Sequence, residues 1–133
     1  MKIGYPNILV AEGGGMRGVF STGVLDRFLE LGFDPFDLFI GVSSGSGNVA
    51  AFMAKMPRRN LLIYTHYSLS PEFISLKKYL KGGHFMDLDW MWDKTIADIR
   101  LDLKTIYKTG RPFIVCLTDV NSGKSFYKPT RAE

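Results

Sequence analysis

Two short apolar segments, each followed by a glycine-rich loop and a helical pattern, restrict the fold of this chain more than any other feature. Residues 8–11 are of β type and lead into three consecutive glycines, after which a helical pattern begins at Gly18. Residues 36–42 are again apolar and lead through a glycine and serine loop into helical composition over residues 48–56. This alternation predicts a layered α/β domain with parallel strands joined by right-handed crossovers. Both loops are then expected at the carboxyl edge of the sheet, where ligands bind.

The remaining pattern predicts further helices and one hairpin. A first helix is predicted from Gly18 to Gly32, with one apolar face formed by Phe20, Val24, Phe28 and Leu31. The pattern further predicts a short helix, a basic amphipathic helix and a β-hairpin, at residues 58–68, 71–80 and 112–127.

Composition places the chain among globular proteins and excludes several classes of function. With 46% hydrophobic and 23% charged residues, residues 1–133 are expected to form a single domain rather than a disordered segment. The net charge of +4 permits attraction to anionic surfaces, but it does not imply nucleic acid, and we expect no such partner. Two histidines and one cysteine offer no metal-binding cluster, so we expect no metal.

Cysteine content and hydropathy predict a cytoplasmic protein. The single cysteine, Cys116, excludes an intramolecular disulfide and fits a reducing compartment. Only four apolar residues immediately precede Glu12, too short a run for a secretory signal. The longest uncharged stretch, residues 38–54, contains three serines and three glycines and therefore does not qualify as a membrane span.

The second glycine loop has the pattern Gly-x-Ser-x-Gly, with Gly41 and Gly45 on either side of Ser43. Between a strand and a helix, this pattern is typical of a sharp turn that lifts a serine hydroxyl above the sheet. The glycines permit the tight backbone, and the amides at the start of the helix favour negative charge near the serine. Ser43 is therefore a candidate nucleophile. The alternative is a glycine and serine loop that only connects two elements.

The first glycine loop is a candidate oxyanion hole, and it consists of Gly13, Gly14, Gly15, Met16, Arg17 and Gly18. Consecutive glycines expose backbone N–H groups, which stabilise the anionic intermediate of acyl transfer. Arg17 would either brace the loop or add positive charge beside it. The loop also satisfies Gly-x-Gly-x-x-Gly, but no acidic residue ends the next strand, which disfavours a dinucleotide site. Neither loop is followed by the lysine of a phosphate-binding loop, so we expect no cofactor.

Together, the two loops resemble those of the patatin-like phospholipases. Residues 79–90 and 118–123 are similar to a bacterial branch of that family, so the resemblance spans nearly the whole chain. It implies a three-layer α/β/α sandwich with a mostly parallel sheet. It also implies lipid acyl-ester hydrolysis by a serine and aspartate dyad, with Ser43 as the serine and the loop at residues 13–18 as the oxyanion hole.

One part of the family pattern is absent from this sequence. The dyad aspartate of the family lies in an Asp-Gly-Gly or Asp-Gly-Ala motif, and these 133 residues contain no Asp-Gly dipeptide. We therefore expect the chain to be the N-terminal part of a longer domain, truncated at its C-terminus, with the aspartate beyond it. Other bases remain open, although each has an ordinary structural alternative: His66, His84, Asp87, Asp89 and Asp119.

Two further groups of residues allow two interpretations each. Lys77, Lys78 and Lys81 lie among apolar residues, which fits either transient contact with a membrane surface or a helix packed on the sheet with solvated lysines. Trp90 and Trp92 would either line an acyl pocket or belong to the core.

The sequence thus favours a lipid acyl-ester hydrolase whose partner is a lipid or acyl-ester substrate. The alternative is a non-catalytic α/β binding or interaction module that retains the glycine loops. The head group, the acyl chain and the oligomeric state remain open.

Overall fold

The computed structural model describes residues 6–130 and shows one four-stranded sheet in the order β1-β2-β3-β4. The first three strands are parallel and β4 is antiparallel to β3, which confirms the predicted α/β class with a mostly parallel sheet. Short 3₁₀ turns lie at Gly15–Arg17 and Tyr67–Leu69. The elements in chain order are β1 (Ile8–Ala11), α1 (Gly18–Glu30), β2 (Leu38–Val42), α2 (Ser44–Met53), α3 (Arg59–Thr65), α4 (Leu76–Leu80), α5 (Leu88–Asp98), α6 (Leu103–Lys108), β3 (Phe113–Thr118) and β4 (Ser125–Thr130).

The strand order determines which face of the sheet the helices cover. Because β1, β2 and β3 follow one another in space as in sequence, right-handed crossovers carry the intervening chain over the same face. The buried core on that face joins the sheet to α1, α2 and α6, and it includes Phe39, Phe113, Val49, Phe52 and Ile106. On the opposite face, Ile8, Val10 and Val42 are exposed in the described part of the chain.

The buried face of α1 differs from the predicted one. Of the four residues predicted to face the core, Phe28 packs against it, whereas Phe20, Val24 and Leu31 are exposed and Phe20 retains 77% of its accessible surface. The helix instead buries a side that includes Thr22 and Leu25. This side approaches α2 closely, and the Thr22 hydroxyl is satisfied there by a hydrogen bond to a buried asparagine. Helical spacing alone selected the larger apolar side chains and missed this smaller, partly polar side.

Two predicted helix boundaries are also wrong. The amphipathic helix predicted over residues 71–80 is helical only at Leu76–Leu80, because turns occupy the preceding residues and Ser75 caps the helix by accepting the amide of Lys78. Helix α2 begins at Ser44, directly after Ser43, as the serine turn predicts, but it ends at Met53, three residues before the end of the predicted helical composition.

An ion pair fastens the loop between α1 and β2 to the start of β3. The Arg111 guanidinium donates to both carboxylate oxygens of Asp34, at 2.7 and 2.9 Å, and to the carbonyl oxygen of Phe36 at 2.9 Å. Lys55 also pairs with Asp34. Burial alone would raise the pKa of Asp34, but the hydrogen bonds from Arg111 and Lys55 outweigh this effect and lower the pKa below its usual 3.8.

Replacing this carboxylate should weaken the fold in a pH-dependent way. Asp34→Asn should lower the free energy of unfolding by about 2 kcal/mol at pH 7, because charged hydrogen bonds are lost. Since the folded state lowers the pKa of Asp34, its contribution is complete above the ordinary carboxyl pKa and disappears as the pH falls through the lowered value. Urea unfolding measured from pH 7 to pH 3 should show that the difference in unfolding free energy between the parent and Asp34→Asn becomes smaller as the pH falls. The exposed control Asp93→Asn should stay within about 0.5 kcal/mol of the parent.

Candidate active site

Ser43 occupies a strained turn between β2 and α2. Its backbone angles are φ 50° and ψ −125°, a conformation that non-glycine residues rarely adopt. The amide of Ser46 donates to the carbonyl oxygen of Ser43 at 2.9 Å and closes the first turn of α2. The Ser43 residue is exposed at the positive end of the α2 dipole. The turn thus presents a hydroxyl at the carboxyl edge of the sheet.

The two flanking glycines are required by close backbone packing. A Cβ on Gly41 would lie 2.5 Å from the Cα of Ser46. A Cβ on Gly45 would clash with the carbonyl oxygens of Ala11 and Glu12. Gly45 therefore brings the first turn of α2 against the end of β1, where the other glycine loop begins.

The glycine loop after β1 lies directly beside Ser43. A Cβ on Gly13 would lie 3.0 Å from the Cβ of Ser43 and 3.2 Å from the carbonyl oxygen of Val42. Gly15 has a φ of 55°, a left-handed conformation that suits glycine, and it begins the 3₁₀ turn Gly15–Arg17. The two glycine loops predicted from the sequence thus meet at one edge.

Arg17 folds back over this loop. Its Nε and Nη2 atoms lie 3.4 and 3.6 Å from the position that a Cβ on Gly14 would take. The Arg17 residue is exposed and makes no ion pair within residues 6–130. The side chain therefore covers Gly14 and also brings an uncompensated positive charge to the loop.

A buried asparagine connects the two loops through three helices. Asn48 of α2 donates to the carbonyl oxygen of Gly18 at 2.8 Å, at the end of the first glycine loop. Its own carbonyl oxygen accepts from Thr22 at 2.9 Å, Asn60 at 2.8 Å and the Tyr64 hydroxyl at 3.3 Å. The sequence pattern indicates Asn48 only as part of a helix, although a single amide followed by six apolar residues is a usable signal.

Tyr64 explains why the loop ends in glycine. A Cβ on Gly18 would clash with the Tyr64 hydroxyl and lie 3.1 Å from the Oγ of Ser44. Burial raises the pKa of Tyr64, although its hydrogen bond with Asn48 opposes this effect. A neutral phenol therefore packs behind both loops.

Comparison with known proteins agrees with this geometry. The model of the family described as patatin-like phospholipase matches residues 9–119, which include both glycine loops. The chain belongs to the patatin-like phospholipase family. Members of this family are in general lipid acyl hydrolases.

The alignment with one relative covers most of this chain. The relative is the uncharacterized protein YjjU of Escherichia coli (strain K12), which is 34% identical over 127 aligned residues. The alignment covers 92% of this chain and 36% of the relative. The chain thus spans about a third of the length of the curated relative it matches. No solved structure matches the chain.

Five residues remain candidates for a base beside Ser43, and within residues 6–130 none of them forms a hydrogen bond with Ser43. Asp119 follows β3 at the same sheet edge, but its carboxylate accepts the amides of Asn121 and Ser122 at 3.1 and 2.7 Å. Hydrogen bonds from the Ser122 hydroxyl and amide lower the pKa of Asp119. A carboxylate stabilised in this way is a weak base.

The other candidates have structural roles or lie elsewhere. Asp87 caps α5 by accepting the amide of Trp90 at 3.0 Å, and Asp89 follows in the first turn of that helix. His66 lines a cavity of about 740 Å³ to which Ser43 does not contribute. His84 lies in an exposed turn.

The two tryptophans differ in environment. Trp90 packs against a small buried cluster of Tyr67, Phe73 and Met91, and it also lines the cavity of about 740 Å³ that His66 lines. Trp92 is 59% exposed and neither packs in that cluster nor lines the cavity beside it.

Within the described part of the chain, no three or more His, Cys, Asp or Glu side chains gather in a group that would hold a metal ion. None of the helices in residues 6–130 is long and apolar enough to cross a membrane.

The close packing at Gly45 should make it intolerant of a single methyl group. Gly45→Ala should destabilise the protein by about 3 kcal/mol, because the added Cβ meets fixed carbonyl oxygens. The control Gly23→Ala lies in α1 with nothing near its Cβ position, and it should stabilise the protein by about 0.5–1 kcal/mol. Urea denaturation of both variants measures the contrast. Equal stability of the two variants would contradict the described packing.

The Asn48 network should also have a measurable effect on stability. Asn48→Ala should cost about 2–3 kcal/mol, because it leaves buried donors and the Gly18 carbonyl oxygen without partners. Asn121→Ala, at an exposed turn, should change stability by less than about 0.5 kcal/mol. Thermal unfolding followed by circular dichroism distinguishes the two. An Asn48→Ala variant as stable as the parent would show that the fold does not need the network for its stability.

Proposed function

We propose that this protein is a serine acyl hydrolase acting on lipid esters, with Ser43 as the nucleophile. The observation that carries this proposal is the strained backbone of Ser43 in direct contact with the glycine loop at Gly13. Strain at a turn is retained where the surrounding structure enforces it, and such turns are concentrated at functional sites. Membership of the patatin-like phospholipase family supports the same chemistry.

In the proposed reaction, the Ser43 oxygen attacks the ester carbonyl carbon while a base accepts its proton. The carbonyl oxygen becomes an oxyanion, which accepts hydrogen bonds from backbone amides of the loop formed by Gly13, Gly14 and Gly15. Collapse of this intermediate expels the alcohol, which takes up the proton, and leaves an acyl-serine ester. Water then attacks that ester and releases the fatty acid, so the serine is regenerated.

The remaining site residues support this arrangement. Gly41 and Gly45 permit the tight turn, and Gly18 allows the loop to pack on Tyr64. The exposed Arg17 guanidinium adds positive charge beside the developing oxyanion. Since a donor in such a hole is used mainly in the transition state, its loss should lower kcat more than it raises KM.

We propose that the base is an aspartate outside this chain, in the Asp-Gly motif that the family resemblance implies. None of the internal candidates forms a hydrogen bond with Ser43 within residues 6–130. General base assistance is worth about 10²–10⁴ in rate, so the 133-residue chain alone should be a poor catalyst.

The substrate and setting follow from the same proposal. A lipid ester is presented at a membrane surface, which the enzyme would contact transiently. We place this activity in the cytoplasm, where the lone Cys116 thiol stays reduced.

The competing proposal is a non-catalytic binding module. It is favoured by the observation that none of the candidate bases forms a hydrogen bond with Ser43 within residues 6–130. Such a module would keep the glycine loops as a rigid edge and would not form an acyl-serine. The two proposals differ in whether Ser43 reacts covalently.

The decisive test is covalent labelling of Ser43 combined with ester hydrolysis. In a longer form of the protein that includes the Asp-Gly segment, Ser43→Ala should abolish both fluorophosphonate labelling and hydrolysis of nitrophenyl esters. Ser46→Ala is the matched control, because the Ser46 hydroxyl is buried without a partner and its removal should leave both signals intact. Peptide mapping by mass spectrometry identifies the labelled serine.

The outcomes separate the two proposals. Labelling of Ser43 with hydrolysis that depends on the Asp-Gly aspartate supports the hydrolase. A folded longer form that neither reacts nor hydrolyses supports the binding module. Full activity after replacing that aspartate by asparagine would instead assign the base to an internal residue.

A further inference from the structure

A closed loop protrudes from the body of the protein between Phe73 and Asp87. The amide of Asp87 donates to the carbonyl oxygen of Phe73 at 2.9 Å, and the amide of Ser75 donates to that of Phe85 at 3.1 Å. Ile74 and Met86 face one another as an antiparallel bridge. We call residues 73–87 the 73–87 loop. Its two ends are joined, so it behaves as one unit.

The base of the 73–87 loop is firmly anchored. Phe73 is 3% exposed and packs with Tyr67 and Met91 in a buried cluster. Asp87 caps α5, and its carboxylate pairs with Lys78 at 3.1 Å. Lys78 also donates to the carbonyl oxygen of Glu72 at 3.1 Å. These contacts fix the loop without covering its outer part.

The outer part of the loop exposes an unusual amount of apolar surface. Leu80 is 76% exposed and Leu76 is 61% exposed. The rings of Tyr79 and Phe85 pack edge to face with centroids 6.1 Å apart, so the exposed side chains adjoin one another. Concentrated apolar exposure of this kind marks an interaction surface. The large exposed apolar side chains of the loop are Ile74, Leu76, Tyr79, Leu80, Phe85 and Met86.

The exposure also contradicts one of the two interpretations of the lysines. A helix packed on the sheet would bury its apolar residues, whereas Leu76, Tyr79 and Leu80 of α4 are all exposed. The structure therefore contradicts the packed alternative and leaves a basic, apolar surface.

Before its last residue, Asp87, the loop carries charge of one sign. Residues 73–86 contain three lysines and no aspartate or glutamate. Lys78 is matched by Asp87, whose pKa is lowered by hydrogen bonds from the Trp90 amide and from Lys78. Lys77 and Lys81 form no ion pair within residues 6–130. Two unmatched cations thus accompany the exposed leucines.

We propose that the 73–87 loop docks on an anionic lipid surface. Leu76 and Leu80 enter the boundary between head groups and acyl chains, while Lys77 and Lys81 contact lipid phosphates. Apolar insertion combined with basic side chains is the combination that holds proteins at anionic interfaces. A neutral apolar partner would not need the lysines. The inference rests on the proposed function, because the purpose of docking would be to deliver lipid esters to Ser43.

The size of each effect can be estimated for the intact chain. One lysine near an anionic membrane contributes about five-fold in affinity at physiological salt. Burial of one leucine side chain contributes about ten-fold or more. Loss of Leu80 should therefore weaken membrane binding more than loss of Lys81.

The test is sedimentation of the 133-residue chain with vesicles of phosphatidylcholine, with and without about 30% phosphatidylglycerol. Leu80→Asp should reduce binding to the anionic vesicles by about ten-fold or more, and Lys81→Glu by at least about five-fold. The matched controls Val120→Asp and Lys124→Glu change the net charge equally at the exposed β3 to β4 turn, and they should bind like the parent. Circular dichroism checks that all four variants fold.

Several outcomes would overturn the proposal. These are no binding by the parent, equal binding to both kinds of vesicle, or equal losses in the control variants. Gel filtration tests whether a second copy of the chain occupies this surface instead of a membrane. If Leu80→Asp converts a dimer to a monomer and vesicles are not bound, the surface joins two copies of the chain. Ser43→Ala should bind vesicles like the parent. Failure of docking and failure of the proposed hydrolase are therefore distinguishable.

Discussion

The contact between the end of β1 and the first turn of α2 determines the geometry of the whole edge. Gly45 lies so close to the carbonyl oxygens of Ala11 and Glu12 that no side chain fits between them. The glycine loop leaves the end of β1 at this contact and runs beside Ser43, against which Gly13 packs. The site is therefore a product of backbone packing, and its side chains add chemistry to a geometry that is already enforced.

The strained backbone of Ser43 needs support that extends beyond this contact. Asn48 supplies part of it, since one buried amide links α2 to α1 and α3 and accepts three hydrogen bonds on a single oxygen. Buried polar networks of this kind are rigid when every member is satisfied. The buried apolar residues that follow Asn48 in α2 then tie the turn to the sheet core.

Local signals made the main features of this fold predictable from the sequence. Glycine runs after apolar segments indicated the parallel strands and both loops, including the position of Ser43. The buried face of α1 was not predictable in this way. Thr22 can be buried only because its hydroxyl donates a hydrogen bond to Asn48 of the neighbouring helix. Phe20, in contrast, fits the helical period and yet is exposed. The α5 start was missed although Asp87 is an ordinary capping residue. A base for Ser43 follows from no pattern in this sequence, since proximity is a tertiary property.

The strand order has a consequence for how the candidate site is assembled. Both crossovers lie over one face, so Val10 and Val42 of the other face are exposed in the described residues. Val42 is also the residue immediately before Ser43. Any layer that buries this face would complete the hydrophobic core and the surroundings of Ser43 in the same step. Folding of that layer and assembly of the candidate site would then be a single cooperative event, so partly assembled molecules would be unstable and would also lack the complete surroundings of Ser43.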